Sequence, residues 1–202
     1  MSLSSKEKGK RIVEELVQKF QYGYTEYKNP SYNETQLRID FVNPLLTALG
    51  WDVFNSKGAP QHLREVIQED TVNVEDDGFI TKKKPDYALC VNGKRKMFIE
   101  VKKPSVPIDI ATDPAFQIRR YGWNARLPIS ILTNFDKFII YDCRYRPSFG
   151  DDVRVARINT YSYEQLILNF DEIYEQFSAE SVYSGKFDET FSLEEQRVEI
   201  GR

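Results

Sequence analysis

Residues 84–104 constrain the fold of this 202-residue chain more than any other stretch. Two short apolar runs flank Asn92 and Gly93, a dipeptide that is typical of the turn of a β-hairpin. Side chains alternate between the two faces of a strand, so Glu100 and Lys102 are expected on the same face. The sequence therefore predicts two antiparallel strands, with a carboxylate and an ammonium group near the end of the second.

The register of this hairpin decides whether a second carboxylate joins them. Residues that face each other across a hairpin have numbers with a constant sum. A three-residue loop at 92–94 places Val91 opposite Arg95 and Asp86 opposite Glu100. A two-residue loop would move Asp86 by one position and separate the two carboxylates. The predicted site therefore assumes the three-residue loop.

Asp86, Glu100 and Lys102 would together suit the hydrolysis of a phosphodiester. Two close carboxylates repel each other and are costly to bury, so they call for a cation. Hard oxygen ligands suit Mg²⁺, which binds through one or two carboxylates plus a substrate phosphate. A lysine beside the metal can position or deprotonate a water molecule. The alternative is that both segments are ordinary strand residues, since either one alone is more often structural.

Three motifs of the chain resemble those of one group of nucleases. Pro-Asp at 85–86, followed after thirteen residues by Glu-Val-Lys at 100–102, resembles the PD-(D/E)xK signature. Residues 117–121 resemble the QxxxY motif of the branch that contains the nuclease domains of type I restriction enzymes. Residues 34–51 resemble the first core helix of the same branch. The resemblance covers roughly residues 30–145 and extends to fused, type IIG-like restriction-modification enzymes.

The resemblance implies a restriction-endonuclease-like fold, in which helices flank a mixed β-sheet, and a Mg²⁺-dependent DNA endonuclease that could also use Mn²⁺. The implied metal ligands are Asp86, Glu100, the carbonyl of Val101 and, through water, Glu34. The implied catalytic residues are Asp86, Glu100, Lys102, Gln117 and Tyr121. The implied contacts with DNA phosphates are Lys103, Arg119 and Arg120. Ordinary structural roles stay open for two of these positions: Glu34 can complement a helix dipole, and Gln117 can lie half-exposed on an amphipathic helix.

The resemblance also implies partners and leaves rival functions open. The partners are double-stranded DNA and methyltransferase, translocase or specificity modules in the same or a companion chain. One rival is a catalytically silent DNA-binding or docking module on the same fold. The other is a nuclease that acts on RNA or branched DNA.

Composition narrows the class of protein. A hydrophobic content of 41% is that of a globular protein, and no apolar run is long enough to span a membrane. Two cysteines and one histidine cannot form a convincing zinc site, and we expect a reducing, cytoplasmic setting. The net charge of −3 excludes a generally basic DNA coat, but lysines and arginines concentrate in residues 82–103, at the predicted site.

Hydrophobic periodicity predicts alternating helices and strands, the pattern of an α/β protein with a mixed sheet. Helices are expected after a cap at Ser4 or Ser5, from Asn33 to Gly50 with a kink or break at Pro44, from an Asp113 cap to about 124, and at 163–177. Further strands are expected at 51–55, within 61–68, at 128–135, at 137–144 and, as an edge, at 153–158. Residues 69–78 are expected to form an acidic surface loop.

The predicted domain organisation has three parts. Residues 1–30 form an N-terminal helix and connector, and residues 31–180 form the nuclease core with its C-terminal helix. Residues 181–202, rich in Gly, Ser and acidic residues, are expected to form a linker or arm.

Overall fold

The computed structural model describes residues 3–76 and 78–192. A mixed sheet of six strands forms its centre, and two further strands pair separately. The strands are β1 Val66–Gln68, β2 Val72–Asp76, β3 Phe79–Lys83, β4 Tyr87–Val91, β5 Lys94–Val101, β6 Ile129–Thr133, β7 Lys137–Asp142 and β8 Arg157–Ser162. The order across the large sheet is β1-β4-β5-β6-β7-β8, with β5 and β6 parallel and the other neighbours antiparallel.

Helices cover both faces of this sheet, so the expected α/β class with a mixed sheet flanked by helices is confirmed. Their bounds are α1 Ser5–Tyr22, α2 Tyr24–Tyr27, α3 Glu34–Leu37, α4 Asn43–Ala48, α5 Thr112–Asn124, α6 Tyr163–Leu168, α7 Phe170–Phe177, α8 Ala179–Tyr183 and α9 Lys186–Thr190. Within the described ranges, no helix is long and apolar enough to cross a membrane.

The alternation of side chains along the strands divides the interior into two cores. Met97, Ile99 and Val101 of β5 point into the larger core, which α1, α4 and the C-terminal helices cover. Phe98 of the same strand points into the smaller core, which α5 covers. Glu100 follows Phe98 by two residues and therefore shares the face of α5. A strand that is buried on both faces thus places a carboxylate beneath this helix.

The hairpin of β4 and β5 reaches the expected pairing by a different route. Its turn is the two-residue loop Asn92-Gly93, with φ of 51° and 74°, and Val91 pairs with Lys94. The three-residue loop was therefore wrong. A β-bulge at Lys96 then adds one residue to β5, so that Tyr87 pairs with Ile99. Asp86, which precedes β4, consequently lies opposite Glu100 after all.

The segment expected as one helix from Asn33 to Gly50 is interrupted. The side chain of Asn33 caps α3 by accepting a 2.9 Å hydrogen bond from the backbone N–H of Gln36, as predicted. A π-helical segment, Arg38–Val42, then separates α3 from α4, and Pro44 lies in the first turn of α4. Proline has no N–H to donate, and here it directly follows the π-helical segment, where the regular hydrogen-bond pattern of the helix is already interrupted.

Several sequence-based boundaries were wrong. Residues 51–55 form a loop rather than a strand, and the predicted acidic loop at 69–78 contains β2. Strand β2 forms because Val72 and Val74 pack into the smaller core, although acidic residues surround them in the sequence. The edge strand begins at Arg157, the helix expected at 163–177 is divided at Asn169, and α5 begins at Thr112 rather than after an Asp113 cap.

The predicted linker at 181–202 begins later than expected. Residues up to 192 belong to the fold, because Phe187 and Phe191 are buried in the larger core beside Phe177. Lys96 of β5 also forms a 2.7 Å ion pair with Asp188 of α9. The rest of the predicted linker, 193–202, lies outside the described residues.

Candidate active site

Asp86 lies at the entry to β4, where one of its oxygens is held by the backbone. Its Oδ2 accepts a 2.7 Å hydrogen bond from the N–H of Val101, the last residue of β5. Its Oδ1 lies 3.5 Å from Nη1 of Arg38. Burial raises the pKa of Asp86 above its usual range, while the Val101 hydrogen bond and the charge of Arg38 oppose that rise. The hydrogen bond from Val101 thus fixes the orientation of the Asp86 carboxylate, and the side chain is 19% exposed.

Glu100 is the most buried carboxylate of the predicted site, at 4% exposure. Its Oε1 accepts hydrogen bonds from Lys102 Nζ at 2.8 Å and from Gln117 Nε2 at 2.7 Å. Its Oε2 is buried without a hydrogen-bond partner among the described residues. Burial and the negative charge of Asp86 raise the pKa of Glu100 to about 7. A buried oxygen without a donor, next to a second carboxylate, is an arrangement that a cation would relieve.

Lys102 shares the face of Glu100, as strand alternation predicts. Its backbone N–H donates to the carbonyl of Thr133, which continues the parallel pairing beyond β5. Burial alone would lower the pKa of the ammonium group, but the Coulombic attraction and hydrogen bond of Glu100 raise it overall. Lys102 is therefore a protonated donor beside the two carboxylates.

Gln117 and Tyr121 lie one turn apart on α5, which packs over β5 and β6. The amide group of Gln117 donates both to Glu100 and, at 2.9 Å, to the hydroxyl of Tyr121. Burial raises the pKa of Tyr121, whose ring belongs to the smaller core. The amide group of Gln117 thus links Glu100 by hydrogen bonds to Tyr121, whose ring is packed in the smaller core.

Comparison with known proteins gives this geometry a family context. Residues 65–149 match the family model described as "Type I restriction enzyme R protein N terminus". The matched segment contains Asp86, Glu100, Lys102 and both residues of the QxxxY motif, whereas Glu34 and Arg38 precede it. The resemblance to type I restriction enzymes is therefore confirmed.

Similarity to a fused restriction-modification enzyme extends over nearly the whole chain. The chain is 42% identical over 186 residues to "Type II restriction enzyme and methyltransferase RM.Eco57I" of Escherichia coli. This match covers 92% of the chain but 18% of the relative, so the chain spans less than a fifth of that protein. A solved structure of "the type IIG restriction endonuclease BpuSI" has a TM-score of 0.44 and 15% identity, over 73% of this chain and 17% of that one.

Of the predicted DNA contacts, Arg119 is a correction. Its side chain is 1% exposed and forms a 2.9 Å ion pair with Asp151, so it is not placed to touch DNA. Arg120 is half-buried and lies over the ring of Phe116, with 5.3 Å between Cζ and the ring centroid. Lys103 is half-buried and donates to the carbonyl of Pro30 at 3.3 Å.

The two remaining predicted metal ligands, Glu34 and Val101, occupy different positions. Glu34 is in the first turn of α3, half-buried, and raises the pKa of Lys102 through its charge. Within residues 3–76 and 78–192, no three Asp, Glu, His or Cys side chains lie together as a metal cluster, so Glu34 does not join Asp86 and Glu100 directly. The N–H and C=O of one strand residue point to the same edge, so the carbonyl of Val101 points to the side of Asp86.

One residue beside Asp86, Arg38, was missed from the sequence. It falls in the middle of a predicted amphipathic helix, where an arginine is expected to face solvent. The π-helical segment brings it instead to Asp86, Gln68 and Tyr87. Its position four residues after Glu34, on the same helical face, was the available signal.

Proposed function

We propose that this chain is a Mg²⁺-dependent DNA endonuclease domain of the PD-(D/E)xK type, working within a restriction-modification system. The observation that carries the proposal is the pair of carboxylates formed by half-buried Asp86 and buried Glu100, with Lys102 hydrogen-bonded to Glu100. Burial and the negative charge of Asp86 both raise the pKa of Glu100, so the two carboxylates lie close enough to influence each other. If these positions served only stability, an apolar pair would often serve as well or better, because burying charged groups costs desolvation free energy.

The donor set fits a hard divalent cation. Asp86 Oδ1, Glu100 Oε2 and the Val101 carbonyl supply oxygen atoms alone, the ligands that Mg²⁺ prefers, and Mn²⁺ takes similar ligands. The unpartnered Oε2 of Glu100 supports this assignment independently of the motif. When bound, the metal would activate a water molecule and neutralise charge on the phosphate during hydrolysis.

Lys102 and Gln117 would serve this reaction in distinct ways. Because the pKa of Lys102 is raised, its ammonium group holds its proton at neutral pH and acts as a donor and a positive charge. It would position the attacking water and stabilise the negative charge of the transition state. Gln117 would hold Glu100 in one orientation, and the hydroxyl of Tyr121 would hold Gln117.

Double-stranded DNA would approach along a row of lysines that leads to Asp86. The side chains of Lys82, Lys83 and Lys84 form no ion pair or hydrogen bond within the described ranges, and Lys84 stands two residues before Asp86. Two residues of extended chain span at most about 7 Å, so the backbone of Lys84 lies within that distance of Asp86, and Lys82 and Lys83 lie further back along β3. Together with Lys103 and Arg120 they would contact backbone phosphates, which position DNA without reading its sequence.

The remaining activities of the enzyme are proposed to reside outside this chain. The relative that it matches is named as both a restriction enzyme and a methyltransferase, and the chain covers 18% of that protein. We therefore propose that methyltransferase, translocase or specificity modules act with this domain, in the same or a companion chain. A cytoplasmic location, where both buried cysteines would stay reduced, is part of the proposal.

The test combines metal binding with cleavage. Mn²⁺ and Mg²⁺ are titrated calorimetrically into the wild type and Asp86→Ala, with and without a duplex that carries uncleavable linkages. Cleavage of a linear duplex, a branched junction and an RNA is then compared with and without EDTA. Metal binding and duplex cleavage that both depend on Asp86 support the proposal. DNA binding without metal binding or cleavage would favour a silent docking module, and preferential cleavage of RNA or junctions would redefine the substrate.

A further inference from the structure

Arg38 begins the π-helical segment Arg38–Val42 and lies one turn after Glu34 on the same face. The charges of Glu34 and Arg38 on this face are opposite to those of the hairpin residues that they face. Arg38 contacts Asp86, and Glu34 acts electrostatically on Lys102. Single π-helical turns interrupt α-helices frequently at functional sites. The interrupted helix therefore covers the carboxylates with one charge of each sign.

The guanidinium of Arg38 is anchored independently of Asp86. Its Nη2 donates to Oε1 of Gln68 at 2.9 Å, and its Nε donates to the hydroxyl of Tyr87 at 3.3 Å. It also stacks over the Tyr87 ring, with 5.0 Å from Cζ to the centroid. The hydroxyl of Tyr87 donates its own proton to Asn43 at 2.8 Å, which leaves its lone pairs for Arg38.

By contrast, the contact between Arg38 and Asp86 is loose. The Nη1–Oδ1 distance is 3.5 Å, whereas strong charge-assisted bonds between these groups measure about 2.7–2.9 Å. An arginine side chain has five N–H donors, of which hydrogen bonds in the described part of the chain use three, and Nη1 also lies 3.9 Å from Oε1 of Glu69. The side chain is 16% exposed, so its outer edge is open to a ligand. Two N–H groups, one on Nη1 next to Oδ1 of Asp86 and one on Nη2, therefore form no hydrogen bond within the described part of the chain.

The charges around the site also favour a role for the positive charge of this guanidinium in binding the phosphate. Four carboxyl groups, those of Asp86 and Glu100 with the nearby Glu34 and Glu69, face the two cations Arg38 and Lys102, so the net charge of the site without metal is negative. A divalent metal would bring this net charge close to zero. A phosphodiester carries one negative charge, and attack by hydroxide adds another in the transition state. The planar fork of an arginine suits two oxygens of such a group better than the point charge of a lysine.

We propose that Arg38 is a catalytic residue whose guanidinium contacts a non-bridging oxygen of the cleaved phosphodiester, on the side of the site opposite Lys102. Gln68 and Tyr87 hold it in place before DNA binds. This inference rests on the proposed nuclease function and adds a residue that lies outside the PD-(D/E)xK and QxxxY motifs.

The test separates metal binding from chemistry in Arg38→Met, which keeps the length of the side chain and removes its charge and donors. We expect Mn²⁺ to bind this variant at least as tightly as the wild type, because a like charge has been removed. Single-turnover cleavage at saturating Mn²⁺ should fall by on the order of 10²–10³-fold. Arg38→Lys, which keeps the charge without the fork, should lose at least about tenfold. Arg95→Met is the matched control, because Arg95 also pairs with an aspartate and lies over an aromatic ring, at the other end of the hairpin.

Two outcomes would overturn the inference. One is cleavage by Arg38→Met within about threefold of the wild type. The other is a tenfold weaker affinity for Mn²⁺, which would show that Arg38 acts only by holding Asp86. If Arg38→Met fails to fold, a folded Arg38→Lys that cleaves at the wild-type rate overturns the inference equally. A wild-type chain that neither binds Mn²⁺ nor cleaves DNA would instead refute the proposed function.

Discussion

The backbone N–H of Val101 lies 2.7 Å from Oδ2 of Asp86, which ties the entry of β4 to the end of β5. An asparagine at position 86 keeps an oxygen that can accept this bond, but it carries no negative charge. We expect Asp86→Asn to retain the hairpin and the melting temperature of the wild type within a few degrees. Metal binding should disappear from calorimetry, and cleavage should fall by on the order of 10²–10³-fold.

Asp70→Asn serves as its control, since Asp70 pairs with Arg95 away from the site. The control should leave both metal binding and cleavage unchanged. Wild-type affinity for Mn²⁺ in Asp86→Asn would remove Asp86 from the metal ligands.

The raised pKa of Glu100 makes stability depend on pH in a specific direction. The folded metal-free protein keeps a proton on Glu100 up to about pH 7, whereas the unfolded chain releases it near the ordinary glutamate pKa of 4.5. The unfolded state therefore binds fewer protons in this window, and the free energy of unfolding falls as pH rises through it. Glu100→Gln removes this titration, while its amide oxygen can still accept from Lys102 and Gln117.

We expect the stability of Glu100→Gln relative to the wild type to be greater at pH 8 than at pH 5, by roughly 1–3 kcal/mol. Urea denaturation in EDTA at the two pH values measures this difference. Parallel pH profiles for the two proteins would show that Glu100 ionises normally in the fold.

The amide of Gln117 is expected to matter more than the hydroxyl of Tyr121. Gln117→Ala removes a hydrogen bond that orients Glu100, so cleavage should fall by about 10- to 100-fold with little loss of stability, because the side chain is half-exposed. Tyr121→Phe keeps the ring in the smaller core and should cost only a few-fold in rate. Single-turnover cleavage compares the two variants. A larger loss in Tyr121→Phe would assign the direct role to the hydroxyl.

The three lysines before Asp86 should contribute mainly to DNA affinity. Replacing Lys82, Lys83 and Lys84 with alanine removes up to three phosphate contacts, so the slope of log K against log salt should become shallower by about 2–3. Binding is measured with a labelled duplex in EDTA, where no cleavage occurs. The control replaces Lys8, Lys10 and Arg11 of α1, on the opposite face of the sheet, and should leave the slope unchanged. Equal effects of the two triple variants would mean that the lysines act only through net charge.

Strand periodicity predicted the parts of the site that depend on local pattern. The shared face of Glu100 and Lys102 follows from alternation, and the Asn92-Gly93 turn follows from the ease with which both residues adopt positive φ. The spacing of Gln117 and Tyr121 likewise placed both on one side of α5.

The parts that were missed depend on tertiary packing. Strand β2 has an acidic sequence and exists because Val72 and Val74 find a core beneath α5. The π-helical turn that carries Arg38 leaves no mark on the hydrophobic periodicity. Phe187 and Phe191, four residues apart, were a helical signal within the predicted linker that composition concealed.

The bulge at Lys96 shows that the number of residues between Asp86 and Glu100 matters more than the length of the turn. A three-residue turn with a regular ladder and a two-residue turn with one bulged residue both bring Asp86 opposite Glu100, because each has thirteen residues between the two carboxylates. The pairing of Asp86 with Glu100 therefore requires one extra residue in the hairpin, and that residue can lie either in the turn or in the strand. Turn length and bulge are interchangeable, so the tip of the hairpin can vary in shape while the chemistry at its base stays in register.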